Sequence, residues 1–211
     1  MELLNTALNW RYATKQFDPR RKLSNEQVDS ILAAGNLSAT SYGLQPYQFL
    51  LIEDQSLRES LVSCCYNQRQ VVDSSHLIVI AIRTDIDEVF IRDFISLTET
   101  QRNLTAGSLT GYGDLIIKSI MSFSEQARLD WAARQAYLAL GTMLAACAAM
   151  QVDACPMEGF LPHEFNQRLN LTDRNLYCQL LLPVGYRAEA DETQHLPKVR
   201  RPLEEMVIRI S

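Results

Sequence analysis

Residues 136–150 of this chain are fifteen consecutive positions without a charged side chain. They continue a helical pattern that opens at Ser124, so the fold must supply apolar cover for a long helix. A bilayer would supply it, but a span needs roughly 20 apolar residues. Arg128, Asp130 and Arg134 also precede the run on the same helix. The expectation is no membrane span, and a helix buried on all sides by the core and by a second copy of the chain. No Gly/Ser/Pro-rich linker or repeat divides the 211 residues, so residues 1–211 are read as one domain.

A net charge of -5 and a pI near 5.3 speak against broad attraction to nucleic acid or anionic lipid. Residues 1–11 lack the basic start and long apolar run of a secretory signal, which points to the cytoplasm. Cys64, Cys65, Cys147, Cys155 and Cys178 lack metal-ligand spacing and read as reduced core residues. His76, His163 and His195 fit neither a zinc site nor a Ser/His/Asp triad, so no metal is expected.

Helical spacing covers residues 1–10. A capping box at Ser24 and Gln27 opens a helix to about Ala34, and Asp54 caps another through Val62. Strands are predicted at residues 47–52, 76–82, 152–155 and 176–184, with a helix at 162–169. Pro183 has no N–H and is expected to end its strand. Residues 85–122 read as helices joined by a mobile loop bearing Gly107, Gly111 and Gly113, and residues 203–210 as a late strand or an arm. The irregular alternation predicts a three-layer α/β or α+β domain rather than a doubly wound dinucleotide fold.

No Gly-rich phosphate cradle follows a strand, so phosphate binding would fall to side chains. Arg11-Tyr12-Ala13-Thr14-Lys15 and Lys198-Val199-Arg200-Arg201 are the candidates; converging, they would hold a monophosphate, although each alone reads as a solvated run. The hydroxyl-rich loop Thr40-Ser41-Tyr42-Gly43-Leu44-Gln45 could donate to a heterocycle, or be a plain turn. Asn67 and Gln70, three apart and so on one helix face, could bond a ring carbonyl. Pro156-Met157-Glu158-Gly159 leaves a strand end where a flat ligand could lie against exposed N–H groups.

Taken in order, Arg11-x-x-Thr14-Lys15-x-Phe17, Ser41-Tyr42-Gly43-Leu44-Gln45-Pro46-Tyr47, Asn67-Gln68-Arg69-Gln70 with Asp73, Trp131-x-x-x-Gln135-x-Tyr137-Leu138, Pro156-Met157-Glu158-Gly159-Phe160 and Leu196-Pro197-Lys198-x-Arg200 resemble the FMN-dependent nitroreductase family. The resemblance implies an α+β, three-layer αβα fold with a mixed, largely antiparallel sheet and a C-terminal arm or strand exchanged between the subunits of a homodimer. It implies FMN, with NADH or NADPH as donor and a nitro-aromatic, quinone or similar small acceptor reduced by a ping-pong mechanism. A flavin or dihydropteridine reductase on the same scaffold, or a flavin-binding protein without NAD(P)H turnover, is the alternative.

By the same resemblance, Arg11, Lys198 and Arg200 hold the phosphate, with Tyr12, Ala13, Gly43 and Gln45 also at the cofactor. Lys15, Asn67 and Gln70 lie at the pyrimidine edge, and Thr40 and Ser41 reach in from the partner. Pro156, Met157, Glu158 and Gly159 pass beside the ring with the Glu158 N–H directed at N5, where hydride is exchanged without a catalytic side chain. Tyr42, Tyr112 and Phe123 are candidate acceptor contacts. Two departures stand out: Ala13 replaces a small hydroxyl residue, and Gln70 stands where some relatives carry Lys.

Overall fold

The structure is a computed structural model and describes residues 2–210. Its organising element is β2 (His76–Arg83), whose residues 77–81 have no exposed surface. Period-2 alternation sends Ile78, Ile80 and Ile82 into one core and Leu77, Val79 and Ala81 into another. Both faces of the strand therefore need helical cover, and this forces three layers.

The sheet runs β1-β2-β4-β3, with β1 (Tyr47–Ile52), β3 (Asp153–Ala154) and β4 (Leu176–Gly185), all pairs antiparallel. The one parallel contact is an isolated bridge between Ala13 and Ala154. One core is roofed by α2 (Asn25–Asn36), α5 (Glu88–Gln101), α6 (Thr110–Met121) and α7 (Glu125–Ala149), with α1 (Glu2–Trp10) packed on α7. The other lies under α3 (Gln55–Leu61), α4 (Gln70–Asp73) and α8 (Pro162–Arg168). The cap signals are honoured: Ser24 and Gln27 close a capping box, and Asp54 and Ser124 accept from the third N–H of their helices.

A bulge at Gln179 keeps β4 apolar on both faces. Register passes from Leu180 opposite Ile80 to Cys178 opposite Ala81, so one residue of β4 is extra. Before the bulge Leu176 and Cys178 face the second core; after it Leu180, Leu182 and Val184 face the first.

Four expectations are corrected. Pro183 does not end its strand, because its backbone faces β3 rather than β2: its carbonyl accepts from Cys155 N–H at 3.0 Å, and only the return bond is lost, beside a two-residue strand. The loop between α5 and α6 is pinned rather than free, since the buried Glu99 carboxylate accepts from Gly107 N–H at 2.9 Å and Leu109 N–H at 2.7 Å. Gly111 and Gly113 lie inside α6, where Gly113 lets the helix close on Ile95. Of the two readings of the tail, strand or arm, the strand is set aside: α9 (Leu203–Met206) is one helical turn, and residues 207–210 are exposed without strand pairing.

Within one chain α7 is buried on one side only. Ala136, Ala139, Leu140, Met143 and Cys147 face the core, while Tyr137 and Leu138 are 41% and 52% exposed. No described helix is long and apolar enough to cross a membrane.

Gly185 marks the closest approach behind the sheet, where an added Cβ would stand 2.8 Å from the Ser75 backbone nitrogen and 3.1 Å from the Phe17 ring. Backbone cannot move aside as a side-chain end can. Gly185→Ala is expected to cost about 1–3 kcal/mol and to lower Tm by roughly 3–10 °C in thermal denaturation. An unchanged Tm would contradict this packing.

Candidate active site

The two basic runs from opposite ends of the sequence meet. Lys198 Nζ donates to the carbonyls of Leu8, at 2.9 Å, and Arg11, which fixes its head beside Arg11 and leaves one of an ammonium's three donors free. Burial first, then the nearby Arg11 and Arg200, lowers the Lys198 ammonium; burial and Arg200 likewise lower the Arg11 guanidinium. No carboxylate pairs with any of the three among the described residues, and Arg11 Nε is buried without a partner. Such a group is satisfied by an anion.

The loop carrying Arg11 and Lys15 is held against the sheet edge. Thr14 N–H donates to the Ala154 carbonyl at 3.3 Å, Ala13 bridges Ala154, and Phe17 bridges Arg187. Arg187 is gripped by Asp153, its Nε at 2.7 Å and its backbone N–H at 2.8 Å from the carboxylate. Its guanidinium stacks on Trp10 and Tyr12, 4.4 and 4.6 Å from the ring centres.

Asp191 completes the arrangement. Its Oδ2 accepts from Tyr12 Oη at 2.8 Å, Lys15 N–H at 2.8 Å and Gln16 N–H at 3.1 Å, while Oδ1 takes Thr193 N–H at 3.1 Å. Burial works against the charge, but the donors of Lys15, Gln16 and Tyr12 outweigh it and hold the carboxyl below its ordinary value. Asp191 also caps the 3-10 turn Glu192–His195 that leads into Lys198. One carboxylate thus sets both basic runs.

Along the same edge, the segment after β3 carries Pro156, Met157, Glu158 and Gly159. Met157 exchanges both backbone bonds with Leu181, at 2.9 and 3.1 Å, and the Gly159 carbonyl accepts from Gln68 Nε2 at 2.9 Å. Among the described residues, the N–H groups of Glu158 and Gly159 have no acceptor within the chain. They form a pair of unengaged donors on an anchored segment.

The remaining candidates separate into distinct places. Asn67 does not share a helix face with Gln70: it has φ 60°, left-handed, in the turn before α4, whereas Gln70 opens α4 and is buried. The loop of Thr40, Ser41, Tyr42, Gly43 and Gln45 is fastened to the opposite side of the helical layer. Ser41 N–H donates to Gln135 Oε1 at 2.8 Å, Tyr42 Oη lies 3.1 Å from Ser119 Oγ on α6, and Gln45 Nε2 donates to the Asn36 carbonyl at 2.7 Å. Gly43 has φ 78° and its missing Cβ would meet Phe94 at 3.1 Å, so both conformation and space select glycine. No hydrogen bond joins this loop to the cation cluster among the described residues. Tyr112 and Phe123, on and just beyond α6, are exposed.

Sequence reasoning missed Asp191, the Asp153–Arg187 pair and Gln68. Gln68 stood inside a quoted motif; Asp191 and Asp153 carry no local signal. Among the described residues no group of three or more His, Cys, Asp or Glu side chains is placed to hold a metal ion.

The depressed Asp191 carboxyl predicts a pH dependence. A group whose folded pKa lies below its ordinary 3.8 lends stability above about that pH, lost as pH falls through the folded value. Asp191→Asn is expected to cost about 2 kcal/mol, roughly 4–8 °C in Tm at neutral pH, with the deficit shrinking below about pH 4. A deficit that is constant down to pH 2.5 (about one unit below that range) would contradict the assignment.

Residues 8–186 match the family model described as Nitroreductase family. YfkO of Bacillus subtilis (strain 168), provisionally named an NAD(P)H nitroreductase, is 31% identical over 212 residues, spanning 95% of this chain and 94% of its own. The crystal structure of ydfN from Bacillus subtilis, provisionally described as a nitroreductase, superposes with a TM-score of 0.88 at 20% identity over 100% of both chains. A provisionally described nitroreductase in complex with FMN, from Exiguobacterium sibiricum 255-15, gives 0.83 at 19% identity over 98% of this chain and 97% of that one. Matched to the family model over residues 8–186 and 31% identical to a relative across 95% of its length, this chain belongs to the Nitroreductase family.

Proposed function

We propose that the chain is an FMN-dependent oxidoreductase that takes electrons from NADH or NADPH and passes them to a nitro-aromatic, quinone or similar small acceptor by a ping-pong mechanism. The observation that carries this reading is the convergence of Arg11, Lys198 and Arg200 around a buried, unpartnered Arg11 Nε, one end of an edge whose other end offers the free N–H groups of Glu158 and Gly159. A phosphate at the first and a flat heterocycle along the second fit those donors. The crystal neighbour solved with FMN and the relative named for NAD(P)H nitroreductase point the same way.

Bound FMN would accept hydride from the nicotinamide and deliver it to the acceptor in turn. The chain's own work is to hold the phosphate with Arg11, Lys198 and Arg200, to set Lys15 by its backbone, and to present the Glu158 and Gly159 N–H groups to the ring. In this reading Asn67, in the turn next to the Gln68 that bonds Gly159, would meet the pyrimidine edge with Gln70 behind it, and Tyr42, Tyr112 and Phe123 would be the acceptor contacts. All five cysteines are free and buried, which suits a reducing, cytoplasmic setting.

The working unit in this reading is a homodimer. Thr40 and Ser41 stand apart from the cation cluster within one chain, so they would complete the site of the partner. The exposed Leu138 face of α7, Leu3 of α1 at 88% exposure and Ile210 of the tail at 94% are the surfaces a second copy would cover, with the arm exchanged.

Lys198→Ala and Arg200→Ala each remove one charge-assisted contact worth about 1.5–3 kcal/mol, so FMN affinity should fall about 10- to 150-fold with the fold retained. Flavin content after gel filtration reads this, and full occupancy in both variants would remove the phosphate assignment. Light scattering should report a dimer; a flavin-loaded monomer would overturn the shared site. Rates with free FMN, a quinone and a nitrofuran separate a nitro- or quinone reductase from a flavin reductase.

A further inference from the structure

The segment that carries the two free N–H groups is fastened along its backbone. Met157 is locked to Leu181, the Gly159 carbonyl to Gln68, Phe160 N–H to the Glu158 carbonyl at 3.0 Å and Leu161 N–H to the Cys64 carbonyl at 2.8 Å. The 157–158 peptide is held by Leu181 through the Met157 carbonyl, whereas the 158–159 peptide has only the local bond from Phe160 N–H, so the Glu158 side chain is the further link between this turn and the rest of the fold. That side chain is not free: its Oε1 accepts from Tyr137 Oη, which rises from the uncharged run of α7. Burial and the Glu158 carboxylate push the Tyr137 phenol up to about 12, so it remains a proton donor at any working pH.

We infer that Tyr137 is a positioning residue: by gripping the Glu158 carboxylate it aims the N–H groups of Glu158 and Gly159 into the cofactor site, the part of the proposed function on which this inference rests. Removing the hydroxyl leaves the fold's packing and the distant phosphate contacts intact, yet lets the 157–160 segment turn.

The test uses Tyr137→Phe, Glu158→Ala and the double variant, with Glu158→Gln as the substitution that keeps an acceptor oxygen. Amide hydrogen exchange of residues 157–161 is measured with and without FMN, together with FMN affinity, Tm and the anaerobic rate of flavin reduction by NADH. In Tyr137→Phe, exchange at the hydrogen-bonded amides of Met157, Phe160 and Leu161 should rise about tenfold and flavin reduction fall about tenfold, the scale of one positioning hydrogen bond, while the folding and FMN-binding constants move less than about twofold. The double variant should be no worse than either single one, and Glu158→Gln should keep exchange near that of the unmodified chain. Unchanged exchange in Tyr137→Phe, or additive losses in the double variant, would overturn the inference. A chain that takes up no FMN would instead fail the cofactor reading, and exchange in the flavin-free protein would still decide whether Tyr137 holds the segment.

Discussion

The buried carboxylate of Asp191 is the constraint on which the arrangement of this protein's site depends. It accepts from the backbone of Lys15, 176 positions away in sequence, and caps the turn that delivers Lys198. Without it, the Arg11–Lys15 loop would lose the bonds that fix the Lys15 backbone and the Tyr12 hydroxyl, keeping the bridge to Ala154, the Lys198 bond to the Arg11 carbonyl and the stacking of Tyr12 under Arg187. Arg11, Lys198 and Arg200, brought together without a paired carboxylate among the described residues, raise one another's cost, as the lowered Arg11 and Lys198 record.

The fold explains why such a site sits where it does. β2 is apolar on both faces and must be central, and β4 beside it changes parity at Gln179 to match both cores. The short β3 and the segment through Gly159 then form one of the two edges of the sheet, where backbone N–H groups can be left for a ligand rather than a neighbouring strand. The proline at 183 belongs to this pattern, because it removes a ladder bond on the edge side and none on the central side. The same edge receives the Arg11 loop, so charge and flat donor surface become contiguous.

How much of this was legible in the sequence follows the range of the interactions. Helix caps at Ser24, Asp54 and Ser124 and the apolar run of β2 depend on residues a few positions apart, and they are read directly. The basic runs were visible as runs, but their convergence was suggested only by resemblance to a family, since neither carries a mark of the other. Asp191 and the Asp153–Arg187 pair act across the whole chain and look like ordinary acidic and basic residues in a list. Pro183 misled because proline's missing donor matters only on the side its backbone faces, which register decides. Asn67 and Gln70 misled because a left-handed turn at Asn67 breaks the helical spacing assumed between them. The uncharged half of α7 was read as buried on all sides, and one chain buries it on one side only.

The account stands or falls on whether a flavin occupies this edge and cycles there. The most direct measurement is an absorbance spectrum of the purified protein, recorded anaerobically before and after a stoichiometric addition of NADH or NADPH and again after a quinone. The account predicts a yellow protein whose oxidised flavin band bleaches with at least one of the two nicotinamides and returns with the quinone. A colourless protein that takes up no FMN from solution, or a flavin band indifferent to both nicotinamides, would contradict it.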